Sequence, residues 1–103
     1  MKSKADVTRT SRNIFRDLGF GPEEAAHLLV RADLMILIEK ALKSRGLKQA
    51  EAARILKVTQ PRVSDLLRGR IDLFSTDMLI DMLARLDVRV RFTARPARTP
   101  KVA

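Results

Sequence analysis

Two short helices that cross at a tight turn are predicted by Leu47-Lys-Gln-Ala-Glu-Ala-Ala-Arg-Ile-Leu-Lys-Val-Thr-Gln-Pro-Arg-Val-Ser-Asp-Leu-Leu-Arg-Gly-Arg70. Thr59 precedes the second helix, and its hydroxyl can accept a hydrogen bond from a first-turn N–H. Pro61 is tolerated there because the first-turn N–H groups have no partner within the helix. Gly69 ends that helix. Ala53 is small where the two helices approach most closely. The positions that must face a core bounded on three sides are apolar; they are Leu56, Val58, Val63 and Leu66.

A long helix is predicted upstream of this stretch. It begins near Pro22, which suits a first turn, and runs to about Arg45, with Gly46 as its terminator. Its apolar residues form two stripes, whereas an ordinary surface helix buries one. The first stripe comprises Leu28, Ala32, Met35 and Leu42, and the second comprises Leu34, Ile38 and Ala41. The middle of the helix is therefore expected to be covered on more than one side, by the N-terminal segment, another helix or a second chain.

The expected fold class is all-α, with five helices around one core. Besides the long helix, the pattern predicts a short helix over residues 12–18, the pair over 48–56 and 60–68, and a helix over 76–86 with Ser75 as its N-cap. The four phenylalanines are expected to anchor the core; they are Phe15, Phe20, Phe74 and Phe92. Residues 11–93 form the predicted domain, and residues 1–10 and 94–103 are interpreted as disordered basic ends.

The pattern changes after residue 87. Val88-Arg-Val-Arg-Phe92 alternates apolar and cationic residues with period two, which is typical of a strand. A lone strand needs a partner for its backbone N–H and C=O groups. The same strand of a second protomer, paired antiparallel through Val88, Val90 and Phe92, would supply one. An extended tail, with the dimer formed instead through the long helix, is the alternative.

Composition narrows the classes of function. The net charge of +9 and the pI near 11.1 favour a polyanionic partner, because cationic proteins release counterions when they bind nucleic acid. There are no cysteines and one histidine, so neither a metal site nor a cofactor is expected. No constellation of residues supports an enzyme. The longest apolar run, residues 34–38, is far shorter than the roughly 20 residues that span a bilayer, so a cytoplasmic protein is expected.

The central stretch resembles the helix-turn-helix of the Cro/C1-type (XRE) family of repressors. The match includes Gln49, Ala53, Thr59-Gln60, Val63 and Arg68-Gly69-Arg70. The wider chain, over about residues 11–93, is similar to HigA-type antitoxins of toxin–antitoxin pairs. That similarity involves Asn13-Ile-Phe-Arg-Asp-Leu-Gly19, the long helix, residues 60–70, Phe74-Ser75 and the terminal strand. Lys57 departs from the family pattern, which often has glycine at the turn.

The resemblance implies a function. Antitoxins of this kind dimerise, repress their own operon and bind a RelE-like mRNA endonuclease. Two recognition helices of a dimer would enter successive major grooves of double-stranded DNA on an inverted-repeat operator. Base reading is expected from the exposed side of the second helix, at Gln60, Arg62, Ser64 and Asp65. Phosphate contacts are expected from residues at the starts of the two helices and just after the end of the second helix. They are Lys48, Gln49, Thr59, Arg68 and Arg70.

Alternatives remain open at this level. A surface salt bridge is the competing interpretation for Lys48, Arg68 and Arg70. For Asp65, pairing with a neighbouring arginine competes with base contact. For the whole chain, a stand-alone phage-type or metabolic repressor without a toxin competes with the antitoxin. A protein-interaction or RNA-binding module that uses the helix pair only as a scaffold is a further alternative.

Overall fold

A computed structural model of the chain describes residues 18–94 and 96. These residues form four α-helices and one 3-10 turn. The helices are α1 (Pro22–Ser44), α2 (Gln49–Leu56), α3 (Gln60–Leu67) and α4 (Thr76–Arg85), and the 3-10 turn (Ile71–Leu73) lies between α3 and α4. The predicted arm over residues 1–10 and most of the predicted tail over 94–103 lie outside the described residues. So does the predicted short helix, except for Leu18, which lies in a turn.

Helix α1 is the element on which the others pack. Pro22 occupies its first turn, and Glu23 and Glu24 lie at its positive end, where carboxylates are favoured by the helix dipole. α1 contacts α4, α3 and the 3-10 turn. Its middle is therefore covered on several sides, as its two apolar stripes predicted. The buried residues of α1 are Ala25, Leu28, Leu29, Leu34, Met35, Ile38 and Leu42.

One apolar core joins α1, α2, α3 and α4. Its most completely buried members come from every helix and from the segment before α4; they are Ile38, Leu56, Val63, Phe74, Leu79, Met82 and Leu83. Phe74 is a core anchor, as expected. Phe20 and Phe92 are 37% and 63% exposed, so the expectation that they anchor the core of this chain is wrong, and Phe15 lies outside the described residues. Ser75 caps α4 as predicted, since its Oγ accepts a hydrogen bond of 3.1 Å from the N–H of Met78.

The four described helices end in the same way. Each is followed by a residue in the left-handed region, and the next N–H donates back to the last turn, which satisfies helix carbonyls that would otherwise have no partner. The left-handed residues are Gly46, Lys57, Gly69 and Asp87. The N–H groups of Leu47, Val58, Arg70 and Val88 donate to carbonyls five residues back, across 3.2, 3.0, 3.0 and 2.9 Å. Lys57 thus adopts the conformation for which glycine is usual.

The expected C-terminal strand is not formed within the described part of the chain. The reason is physical: the other described elements are helical, so residues 88–92 have no neighbouring strand with which to form a ladder. The period-two pattern is nevertheless visible in their burial. Val88 and Val90 are half-buried against the core, whereas Arg89 and Arg91 are exposed. The observed architecture of residues 18–94 and 96 is therefore all-α, with four of the five expected helices, a 3-10 turn and no strand, and the remaining expected helix, over residues 12–18, lies almost wholly outside the described residues.

Candidate nucleic-acid interface

The leading end of α3 is exposed on the surface of the described chain. Thr59 precedes the helix in an extended conformation, and its Oγ1 accepts a hydrogen bond of 3.4 Å from the N–H of Arg62. Val63 and Leu66 are buried and hold α3 against the core. The first residue of the helix, Gln60, is exposed to solvent.

Helix α2 crosses close to α3 and begins beside it at the surface. Lys48 and Gln49 are exposed, and the backbone N–H of Lys48 donates to Oε1 of Glu51 across 2.9 Å. Ala53 is buried in the core that α2 shares with α3, where its small side chain permits the close approach expected from the sequence. The starts of α2 and α3 are therefore both free to meet a ligand.

A family model described as a helix-turn-helix domain matches residues 14–95. This chain belongs to the helix-turn-helix domain family. A solved structure provisionally named as an XRE family transcriptional regulator is similar to it, with a TM-score of 0.68 and 28% sequence identity over 78% of this chain and 90% of that chain. Among curated proteins, none is significantly similar to the chain.

Membership in this family assigns the roles of two helices. A helix-turn-helix domain binds DNA by placing its second helix in the major groove while the first crosses the phosphate backbone. In this chain the second, or recognition, helix is α3, and the first is α2. The family also confirms the expectation that the protein is not an enzyme, because helix-turn-helix domains act by binding.

The expected base-reading residues are in different environments on the recognition helix. Gln60 is exposed, and Ser64 is half-buried one turn later. Asp65 accepts a hydrogen bond of 3.1 Å from Nη2 of Arg68, which is the arginine pairing considered as its alternative. Arg62 folds back onto the domain: Nη2 donates to the carbonyl of Leu73 across 3.2 Å. Base contact by Asp65 or Arg62 stays a prediction, and either residue would have to release its present partner.

The expected phosphate-binding residues surround the recognition helix at the surface. Lys48, Gln49, Thr59, Arg68 and Arg70 are all exposed. Arg68 is paired with Asp65, and Nε of Arg70 lies 3.8 Å from Oδ1 of Asp72. Such exposed pairs contribute little to folding, because water screens them, so a phosphate can compete for these cations.

Three arginines outside the predicted set bind backbone carbonyls at the ends of elements. Arg31 of α1 donates to Ile71 and Phe74 across 3.4 and 3.5 Å, Arg45 donates to Leu86 across 3.3 Å, and Arg85 donates to Leu56 across 3.3 Å. Sequence reasoning missed these roles because the partners are 29 to 43 residues away along the chain. These three arginines therefore hydrogen-bond segments of the folded chain that are far apart in sequence.

Residues 18–94 and 96 contain no group of three or more His, Cys, Asp or Glu side chains placed to hold a metal ion. No helix in the same residues is long and apolar enough to cross a bilayer.

Proposed function

We propose that this protein is a sequence-specific transcriptional repressor that binds an inverted-repeat operator as a homodimer. The single observation that carries the proposal is the exposed leading end of the recognition helix at Thr59 and Gln60. Exposure is required because base edges are read by side chains that enter the major groove. Repression would be steric, since a dimer over a promoter excludes other proteins.

The side chains divide into two roles under this proposal. Gln60 reads a base, because its amide can both accept and donate toward adenine N6 and N7. Ser64 lies one turn further along the same side of the helix and supplies a second contact. Around them, Lys48, Gln49, Thr59, Arg68 and Arg70 set the position on DNA by binding phosphates, which is supported by their exposure and by the net charge of +9.

Dimerisation is proposed to occur through residues 88–92. Val88 and Val90 are half-buried against the core, while Phe92 is 63% exposed, which leaves an apolar side chain for a partner to cover. Two such segments paired antiparallel across a two-fold axis would satisfy the backbone groups of both. The long helix α1 is the alternative interface. A two-fold dimer would present two recognition helices about 34–36 Å apart, one turn of DNA.

We further propose that the protein is the antitoxin of a HigBA-type pair that represses its own operon and neutralises a RelE-like mRNA endonuclease. The support is the similarity to HigA-type antitoxins over about residues 11–93, and the similarity to an XRE family regulator. A stand-alone repressor is the competing function. The antitoxin function predicts that the protein co-purifies with, and inhibits, a small ribonuclease encoded beside its gene. Failure to bind the product of any adjacent gene would favour the stand-alone repressor.

The DNA-binding function is tested by footprinting the full chain on DNA upstream of its own gene. The expected result is two protected half-sites about one helical turn apart, retained when random duplex is added in excess. Equal affinity for operator and random duplex would contradict sequence-specific repression. A preference for RNA over duplex DNA would favour an RNA-binding module instead.

A further inference from the structure

The side chain of Arg62 lies between the recognition helix and the loop that follows it. Its guanidinium carbon is 4.7 Å from the centroid of the Phe74 ring, and its Nη2 donates to the carbonyl of Leu73 across 3.2 Å. Phe74 is only 2% exposed, so it belongs to the core. Arg62 thus connects the first turn of α3 to the 3-10 turn and the core beneath it.

The two contacts of Arg62 suit arginine in particular. A planar guanidinium can lie over an aromatic face, whose electron-rich surface attracts a cation, while its edge still donates a hydrogen bond. Lysine is a compact point charge and lacks the planar fork that makes both contacts at once. Because the side chain is half-buried, water screens these interactions less than it screens a surface ion pair.

The 3-10 turn is held from a second direction as well. Arg31 of α1 donates to the carbonyls of Ile71 and Phe74 across 3.4 and 3.5 Å. The 3-10 turn and the residue after it therefore accept hydrogen bonds from arginines of both α1 and α3. Through that turn, the leading end of α3 is tied to the longest helix of the domain.

This connection bears on the orientation of Gln60. The buried anchors of α3, Val63 and Leu66, form one stripe, and a rotation of the helix about that stripe would change the direction in which Gln60 points. Arg62 lies two residues after Gln60 and contacts the domain beside that stripe. Its contacts therefore restrict that rotation at the end of the helix that carries Gln60.

We propose that Arg62 is a positioning residue for base recognition, which holds the first turn of α3 through Phe74 and Leu73 so that Gln60 meets its base edge. The inference rests on the proposed DNA-binding function. It assigns Arg62 an indirect role in place of the direct base contact expected from the sequence.

The main test compares Arg62→Met with Phe74→Leu. Both remove the stacked pair, but Phe74 is buried and cannot touch DNA, so a loss in both variants at the base pair of Gln60 is expected from a positioning role and not from a base contact of Arg62 itself. Affinity is measured for the operator and for duplexes with each base pair of one half-site replaced in turn. We expect both variants to reduce the discrimination at the base pair sensed by Gln60 by about three- to thirtyfold. The double variant should lose little more than the worse single variant, because the stacked contact that both substitutions remove can be lost only once.

A second measurement does not depend on any variant folding. The ring current of Phe74 shifts the NMR signals of a guanidinium held over its face to higher field. In the full chain, the side-chain signals of Arg62 are compared without DNA and with bound operator. We expect the shift to persist in the complex, because the positioning contact is retained on DNA.

Two results would overturn the inference. One is a loss in Arg62→Met confined to a base pair other than that of Gln60, with folded Phe74→Leu unaffected. The other is disappearance of the ring-current shift on binding operator. Either result would exclude the positioning role. If the unmodified protein shows no base preference at all, the proposed function itself fails, which is a distinguishable outcome.

Discussion

The guanidinium of Arg85 donates a hydrogen bond across 3.3 Å to the backbone carbonyl of Leu56. The bond joins the last turn of α4 to the last turn of α2, just before the turn that leads into the recognition helix. Since helix carbonyls near the C-terminus lack partners within their own helix, a cation there satisfies one and also favours the helix dipole. A contact between residues 29 positions apart thus adds to the core packing that holds α4 against the helix-turn-helix.

Arg85→Met is expected to lower the free energy of unfolding by about 1–2 kcal/mol, because a part-buried carbonyl loses a charged donor. Urea denaturation followed by circular dichroism measures the change. The matched control is Arg54→Met, which removes the same charge from an exposed position in α2 and should change stability by less than about 0.5 kcal/mol. Equal effects of the two variants would show that the Leu56 contact does not stabilise the fold.

Lys57→Gly is expected to stabilise the protein. Lys57 has φ near 60°, and a side chain in that region costs about 1 kcal/mol or more, which glycine avoids. The greater freedom of glycine in the unfolded chain offsets part of this gain, so the net increase is about 0.5 kcal/mol. Thermal unfolding measures it. Asp87→Gly is the control: aspartate tolerates the left-handed region better, so its replacement should gain less. A lower melting temperature for Lys57→Gly would contradict the expectation that Lys57 is strained in the left-handed region.

Gln60→Ala and Gln49→Ala form a matched pair, since each removes an exposed glutamine from the first position of a helix of the motif. Gln60→Ala should weaken operator binding by about 1–3 kcal/mol and random-duplex binding by much less, because it removes a base contact. Gln49→Ala should weaken both equally, because phosphates carry no sequence information. Fluorescence anisotropy with labelled duplexes measures both. Equal losses for Gln60→Ala on the two duplexes would argue against base reading.

Arg70→Ala should weaken binding to every duplex by a similar factor and reduce the slope of log affinity against log salt by about one. The physical reason is that one fewer phosphate is neutralised and one fewer counterion is released. Titrations at several salt concentrations measure the slope. Arg70→Lys, which keeps the charge, should retain it, and an unchanged slope in Arg70→Ala would exclude a phosphate contact.

Val90→Pro should impair dimerisation if residues 88–92 pair between chains, because proline removes a ladder donor. Sedimentation velocity of the full chain measures the oligomeric state. Ala94→Pro is the control, since residue 94 lies beyond the proposed strand and its replacement should leave the dimer intact. A dimer that survives Val90→Pro would place the interface elsewhere, with the long helix as the next candidate.

The sequence features that correctly predicted structure are local ones. The boundaries of the four described helices were predictable to within a residue or two. Thr59 and Ser75 offer hydroxyls to first-turn amides, and Gly46 and Gly69 permit the left-handed conformation that ends a helix. Each of these effects depends on atoms a few residues apart. The left-handed conformation of Lys57 was also foreseeable, because the motif requires such a residue at that position.

The contacts of the arginines were decided by packing. The sequence shows Arg62 as a basic residue on the exposed half of a recognition helix, and only the folded chain places it over Phe74, twelve residues later. The same holds for Arg31 and Arg85, whose carbonyl partners are 29 to 43 residues distant along the chain. Local patterns therefore determined which elements form and where they end. The tertiary structure decided which arginines bind backbone carbonyls of other segments and which stay exposed, because that choice depends on distances between segments that only packing brings together.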